Sequence, residues 1–164
     1  MNKLNLGCGK DIRPGYINLD FKKLPRVDVV HDLNKVPYPF KDNYFDEILC
    51  YNILEHMDNF LAVVEELYRI SKNRAIIKVE VPFFHSLEAF ADPTHKNFFT
   101  LDTFDYLTKD HHFNYYSHVR FEVLEKKLIP TFLGRLVPPP IRNFTALVFG
   151  QICKGIHFKL KVIK

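Results

Sequence analysis

Short apolar runs separated by polar segments dominate the first half of the chain. They predict five β-strands, over residues 4–6, 16–20, 27–31, 45–51 and 75–81. Before the fifth strand, apolar residues recur at helical spacing at Phe60, Val63, Val64, Leu67 and Ile70. This stripe predicts a helix that is capped by Asp58 or Asn59 and ends near Asn73. Nearly continuous apolar strands joined by crossovers are typical of a parallel sheet covered on both faces.

The second half is more polar and more aromatic. It predicts a loop over residues 85–97, a short helix after Thr100 and a further polar-aromatic stretch over 111–118. Apolar and polar residues alternate over 120–128 and 157–163, which predicts an antiparallel pair of strands. The apolar residues over 143–153 predict a short helix. We therefore predict an α/β fold, a Rossmann-like doubly wound sheet that is mostly parallel with an antiparallel C-terminal strand. No linker composition interrupts residues 1–164, which indicates a single domain.

Composition narrows the class of protein. Hydrophobic residues make up 47% of the 164 residues and charged residues 26%, which is typical of a globular domain. The net charge of +4 comes without dense basic clusters, which argues against a nucleic-acid-binding protein. The three widely spaced cysteines form neither a metal motif nor a disulfide framework. Since the sequence shows neither a signal-peptide run nor a membrane-spanning run, we expect a cytoplasmic location.

A glycine turn and an acid supply the first candidate site. Gly7-Cys8-Gly9 ends the first strand, and Asp20 ends the second. Glycines there let the backbone approach a ligand, and a carboxylate can accept hydrogen bonds from two ribose hydroxyls. A dinucleotide fold would place its acid about 20 residues after its glycines. The shorter spacing here favours a nucleoside without phosphates, although a tight turn with a surface acid remains the alternative.

Further motifs follow in order: His31-Asp32-Leu33, Pro37-Tyr38-Pro39-Phe40, Phe45-Asp46 and Leu54-Glu55-His56. Together with the glycine turn they resemble the class I S-adenosylmethionine-dependent methyltransferases, in particular the UbiE-like and type 11 group. The resemblance covers about residues 4–81 and makes residues 1–82 the cofactor-binding half and 83–164 the acceptor side. It implies S-adenosyl-L-methionine as cofactor, bound by Gly7, Cys8, Gly9, Asp20, Asp32, Leu33 and Asn52. For Asp32, a turn after a strand is the structural alternative.

Some residues depart from that family. Asn5 stands where an acid is common, Asp11 replaces a small residue, and the first crossover is too short for a full helix. These departures keep a second hypothesis open, a non-catalytic binding module or partner subunit with the same fold. Tyr51-Asn52-Ile53-Leu54 lacks the motif of enzymes that methylate nucleic-acid amino groups.

Candidate catalytic groups follow the fifth strand. Asp92-Pro93-Thr94-His95 resembles a segment of such methyltransferases. An oxygen acceptor needs a base near neutral pH, for which histidine is suited. His95 and His85 are the leading candidates, with Asp92 orienting them or acting as a second base, and His56 is a weaker candidate. Alternatively, Asp92-Pro93 only starts a turn.

The function predicted from these features is methyl transfer to an oxygen of a small molecule, such as a sugar, a lipid-linked sugar or a natural product. No metal is expected, because His111, His112 and His118 lack ligand spacing. The last segment mixes apolar with basic residues, and either touches an anionic membrane or packs as a helix with a basic tail. The sequence does not predict the oligomeric state.

Overall fold

A computed structural model describes residues 1–164, except for the side chain of residue 140. Its centre is a seven-stranded sheet in the order β3-β2-β1-β4-β5-β7-β6. The strands are β1 Lys3–Leu6, β2 Ile17–Asp20, β3 Val29–Val30, β4 Phe45–Tyr51, β5 Ser71–Pro82, β6 Phe121–Pro130 and β7 Cys153–Val162. Strands β1 to β5 pair in parallel, whereas β7 runs antiparallel to both β5 and β6. The predicted fold class is confirmed.

The first crossover carries no helix, as its length predicts. Residues 9–16 instead pass over the sheet on turns, and two buried amides fasten them there. Asn5 donates from Nδ2 to the Asp11 carbonyl at 2.7 Å and to Asn18 Oδ1 at 3.0 Å, and the Arg13 N–H donates to Asn18 Oδ1 at 2.9 Å. The side chain of Asn5 therefore serves the fold.

Helix α1, Phe60–Ile70, joins β4 to β5. Asn59 caps it by accepting a hydrogen bond from the Ala62 N–H at 3.1 Å. Its apolar stripe is buried at Val63, Val64, Leu67 and Ile70, and packs in the same cluster as the strands. The predicted end at Asn73 is wrong, because the chain enters β5 directly at Ser71.

In the last third, the helix predicted over 143–153 and the strand predicted over 157–163 both begin about four residues earlier than predicted. Helix α4 spans Pro139–Val148 rather than 143–153, and Cys153 already begins β7. The backbone N–H at the first position of a helix has no partner within the helix. A proline, which has no N–H, is therefore tolerated there, and the proline run starts the helix. Short helices α2, Leu87–Ala91, and α3, Phe132–Arg135, complete the α-helical elements, and 3-10 turns span Leu54–His56, Thr103–Leu107 and Asn114–Tyr116.

The two faces of the sheet differ. One face is apolar and buried, and contributes Leu4, Ile48, Ile77, Phe158 and Leu160 to the core. The other face carries half-exposed charged residues on β5 and β7, including Lys78, Glu80, His157 and Lys159. Among the described residues, no helix is long and apolar enough to cross a membrane.

Candidate active site

The carboxyl ends of three neighbouring strands build the floor of a cavity. Because β1 lies between β2 and β4, Gly7, Asp20 and Asn52 meet at one edge of the sheet. They line a cavity of about 720 Å³, within the range of small-molecule sites. Of the residues predicted to bind a cofactor, Gly7, Asp20, Asp32, Leu33 and Asn52 line this cavity, whereas Cys8 and Gly9 are not among its lining residues.

The glycine turn has the geometry that close ligand approach requires. Gly7 and Gly9 adopt φ of +63° and +49°. A Cβ on Gly7 would lie 2.6 Å from Ile53 Cδ1, so glycine alone fits between the strand ends. Cys8 points into the protein, and burial followed by the charge of Asp20 raises the pKa of its thiol.

Asp20 is held in place by the backbone around it. Its Oδ2 accepts from the Gly9 N–H at 2.8 Å and its Oδ1 from the Lys22 N–H at 3.0 Å. The carboxylate is buried, yet it lines the cavity. Each oxygen has a second lone pair, so the oriented group can accept two further hydrogen bonds from vicinal hydroxyls.

Asp32 and Leu33 lie on the side of the cavity beyond β3. Asp32 Oδ1 accepts from the Asn34 N–H at 3.1 Å, so the turn anticipated as an alternative is present while the residue also lines the cavity. Leu33 is buried, and its carbonyl accepts a hydrogen bond from the Tyr38 hydroxyl at 3.0 Å. This bond fixes an apolar wall next to a carboxylate, an arrangement that suits an adenine ring and its amino group.

The segment after β5 folds back over the 3-10 turn Leu54–His56. The Lys96 and Asn97 N–H groups donate to the Glu55 carbonyl at 2.7 and 3.0 Å, and Asn97 Nδ2 donates to the Met57 carbonyl at 2.7 Å. These bonds place Pro93, Thr94 and Lys96 on the cavity wall that His56 and Met57 also line.

The structure distributes the predicted catalytic residues unevenly. His56, the weaker candidate from sequence, is the histidine that lines the cavity. His95 packs against it, with ring centroids 4.8 Å apart. His85 instead faces α4, with its Nδ1 3.2 Å from the Ala146 carbonyl. Asp92 forms the turn foreseen as the alternative, accepting from the Thr94 N–H at 2.8 Å and the Thr94 hydroxyl at 2.7 Å.

Glu55 is a functional candidate that the sequence did not single out. Only 1% of the residue is exposed, and both carboxylate oxygens lack a hydrogen-bond partner among the described residues. Burial raises its pKa to about 7. Burial, and then the charge of His95, lowers the pKa of His56, so that imidazole is neutral at neutral pH. Glu55 lies close to His56 and His95. Each of the three residues offers one atom that could bind a metal, and these three atoms lie within 4.8 Å of one another.

Comparisons with known proteins agree with this geometry. Residues 4–78 match a family described as "Methyltransferase domain". This match covers just under half of the chain. Its fold is similar to a SAM-dependent methyltransferase structure from Archaeoglobus fulgidus, with a TM-score of 0.62 and 18% identity, covering 98% of this chain and 85% of that one. It is also similar to the YcgJ protein of Bacillus subtilis, with a TM-score of 0.64 and 14% identity over 99% and 92% of the two chains.

A relative with recognisable sequence similarity is the uncharacterized protein MJ0638 of Methanocaldococcus jannaschii. It is 32% identical over 123 residues, which cover 62% of this chain. The chain spans about half of that relative's length, since 53% of it is covered. The methyltransferase family match includes Gly7, Asp20, Asp32 and Asn52 but ends before the segment that carries Thr94 and His95.

Proposed function

We propose that this protein binds S-adenosyl-L-methionine and transfers its methyl group to an oxygen atom of a small molecule. The observation that carries the proposal is the single cavity that joins Gly7, Asp20 and Asp32 at three successive strand ends. The match of residues 4–78 to the methyltransferase family supports methyl transfer in general terms.

The residues suggest how the cofactor lies. Asp20 would accept hydrogen bonds from the ribose hydroxyls. Asp32 would accept one from the adenine amino group while Leu33 packs on the ring. The methionine part would pass over Gly7, which lines the cavity and has no side chain to block it. Asn52 would then lie near the sulfonium, and His56 and Thr94 line the same cavity on the acceptor side.

The reaction is a displacement at the methyl carbon. An acceptor hydroxyl would pass its proton to the imidazole of His56, which lines the cavity, and its oxygen would form a bond to that carbon. The carbon–sulfur bond breaks with its electron pair on sulfur, which leaves S-adenosylhomocysteine. The protein's part is to hold the two reactants in line and exclude water. The polar wall formed by His56, Thr94 and Lys96 is the part of the cavity suited to an acceptor hydroxyl.

Calorimetric titration with S-adenosylhomocysteine tests the cofactor site. Asp20→Ala removes the carboxylate that lines the cavity, and we expect the affinity to fall by about 1–3 kcal/mol, roughly 5–150-fold, since bound hydroxyls lose their acceptor. Asp28→Ala is the matched control, because Asp28 also accepts a backbone N–H, from Asn18 at 2.7 Å, and does not line the cavity. Equal affinities in the two variants would refute the assignment of Asp20.

A screen of hydroxylated acceptors, starting with sugars and lipid-linked sugars, then tests methyl transfer by the appearance of S-adenosylhomocysteine. A non-catalytic module is the second hypothesis, favoured by the engagement of Asn5 within the fold. Failure of the folded wild-type protein to bind S-adenosylhomocysteine would support that hypothesis over methyl transfer.

A further inference from the structure

We propose that Glu55, His56 and His95 bind a divalent first-row transition metal ion at the wall of the cavity. The role of that ion in activating an acceptor oxygen rests on the proposed function, whereas its binding does not. One carboxylate and two imidazoles form a donor set that Zn²⁺, Mn²⁺ and Fe²⁺ use in proteins.

Hydrogen bonds fix both imidazoles in a metal-binding tautomer. His95 Nδ1 lies 3.0 Å from the Ala89 carbonyl, which can only accept, so Nδ1 carries the proton and Nε2 keeps a lone pair. The Thr94 hydroxyl donates to Asp92 at 2.7 Å and lies 2.9 Å from His56 Nδ1. Because its single proton is used, it accepts from His56 Nδ1–H and leaves the Nε2 lone pair free. Ligating histidines commonly have such an outer partner on the other ring nitrogen.

The carboxylate of Glu55 supplies an independent observation. It is almost completely buried, and neither oxygen has a hydrogen-bond partner among the described residues. A buried carboxyl group without partners is costly, and such groups in native proteins are commonly paired or bind metals. The nearby Lys96 ammonium does not fill this role, because it pairs with Asp58.

The spacing of the three groups requires only a local contraction. Their ligand atoms lie within 4.8 Å of one another. Metal bonds of about 2.0–2.2 Å place neighbouring ligands roughly 3.3 Å apart, so each atom must move by about 1 Å. The bonds from Lys96 and Asn97 to the Glu55 carbonyl keep the segment that carries His95 beside Glu55 during this movement.

Three protein ligands would leave coordination positions open toward the cavity that His56 lines. An acceptor hydroxyl bound there would lose its proton to solvent water more readily, because a metal ion stabilises the resulting oxygen anion. The ion would thus supply the deprotonation that an oxygen acceptor requires, and His56 would serve as a ligand rather than as the base.

The test is titration of the chelator-treated full chain with Co²⁺, followed by visible absorption, and with Zn²⁺, followed by calorimetry. Wild-type protein should bind one ion with an absorption band of protein-bound Co²⁺. Glu55→Gln and His95→Asn should each weaken binding at least about 100-fold. Thr94→Val, which removes the outer partner of His56 together with the bond to Asp92, should weaken it about 10–100-fold. His118→Asn is the control, because His118 is exposed and outside the cluster.

Each result bears on one proposal. Wild-type-like binding in Glu55→Gln, or no binding by the wild type, would overturn the metal site, provided that the circular dichroism spectrum shows a folded protein. Affinity for S-adenosylhomocysteine should change less than about threefold in Glu55→Gln. A wild-type protein that binds the metal ion but not S-adenosylhomocysteine would overturn the proposed function and support the metal site.

A second surface carries a separate inference. The segment from Phe132 to Phe149 exposes large apolar side chains, namely Phe132, Leu133, Leu136, Ile141, Phe144, Leu147, Val148 and Phe149. Between Pro130 and Gly155 the sequence contains no Asp or Glu, and its charged residues are Arg135, Arg142 and Lys154. We propose that this apolar-basic surface, on α3 and α4, docks on an anionic membrane, because apolar side chains flanked only by positive charge suit that boundary.

The experiment is sedimentation of the full chain with vesicles of phosphatidylcholine, with and without phosphatidylglycerol. Binding should require the anionic lipid and weaken at high salt. The double variant Phe144→Ser/Leu147→Ser should bind at least about 10-fold more weakly, whereas Leu61→Ser, an exposed position on α1, should not. Absence of vesicle binding, with a concentration-dependent dimer in solution, would overturn the proposal in favour of a second copy of the chain.

Discussion

Replacing Gly7 by alanine isolates the close approach that shapes the cavity floor. A residue at φ of +63° adds about 1–2 kcal/mol of backbone strain for any L-amino acid. The new Cβ would also lie 2.6 Å from Ile53 Cδ1, and overpacking of this kind costs about 1–3 kcal/mol. We therefore expect Gly7→Ala to lower the free energy of unfolding by about 2–5 kcal/mol in urea titrations.

Gly9→Ala is the matched control for that measurement. Gly9 has a similar φ of +49° but an open space around its Cβ position, so only the strain of about 1–2 kcal/mol applies. Combining Gly7→Ala with Ile53→Ala should remove most of the difference, although Ile53 Cβ remains 3.0 Å away. Equal losses for the two glycines, or no coupling to Ile53, would refute the reasoning.

Two further predictions concern the support of the adenine side. Burial alone would raise the pKa of Glu66, but the bonds from Arg69 and the Tyr38 N–H outweigh it and hold that pKa below its ordinary value. The ionised form therefore stabilises the fold above pH about 4.5, so the advantage of wild type over Glu66→Gln in urea should vanish as the pH falls through the lowered pKa. Tyr38→Phe should cost about 1–3 kcal/mol and weaken S-adenosylhomocysteine binding, because the Leu33 carbonyl loses its donor. An unchanged urea midpoint in Tyr38→Phe would contradict the predicted loss of stability.

The apolar pattern predicted those elements whose apolar residues face the core. Strand β4 and the start of α1 lie where the apolar pattern predicts them. The pattern failed where backbone pairing overrides side-chain character. Residues 71–74 are mostly polar, yet they begin β5 because Ser71 pairs with Phe45 at the edge of β4 before a bulge.

The cofactor side of the site was accessible to sequence reasoning because it depends on strand order. Once β1 lies between β2 and β4, the residues that end those strands must converge. The choice among the histidines was not accessible, since it depends on hydrogen bonds between positions about 40 residues apart. Asn97 and the carbonyls of Leu54 and Met57 set that fold-back. The sequence contained one weak signal that Glu55 is buried. It is an acidic residue close to the apolar residues Leu54 and Met57, which are both buried.

The two sides of the cavity also differ in what a substitution can change. The nucleoside side is built from backbone dihedral angles and from Asp20, whose oxygens already hold two main-chain N–H groups. Changes there alter stability together with affinity. On the acceptor side, Thr94 and His56 are exposed or half-exposed side chains on turns, so substitutions can alter chemistry at little cost in stability. Glu55 is the exception, because its burial ties it to the fold, which is why the neutral isostere Gln is the informative replacement.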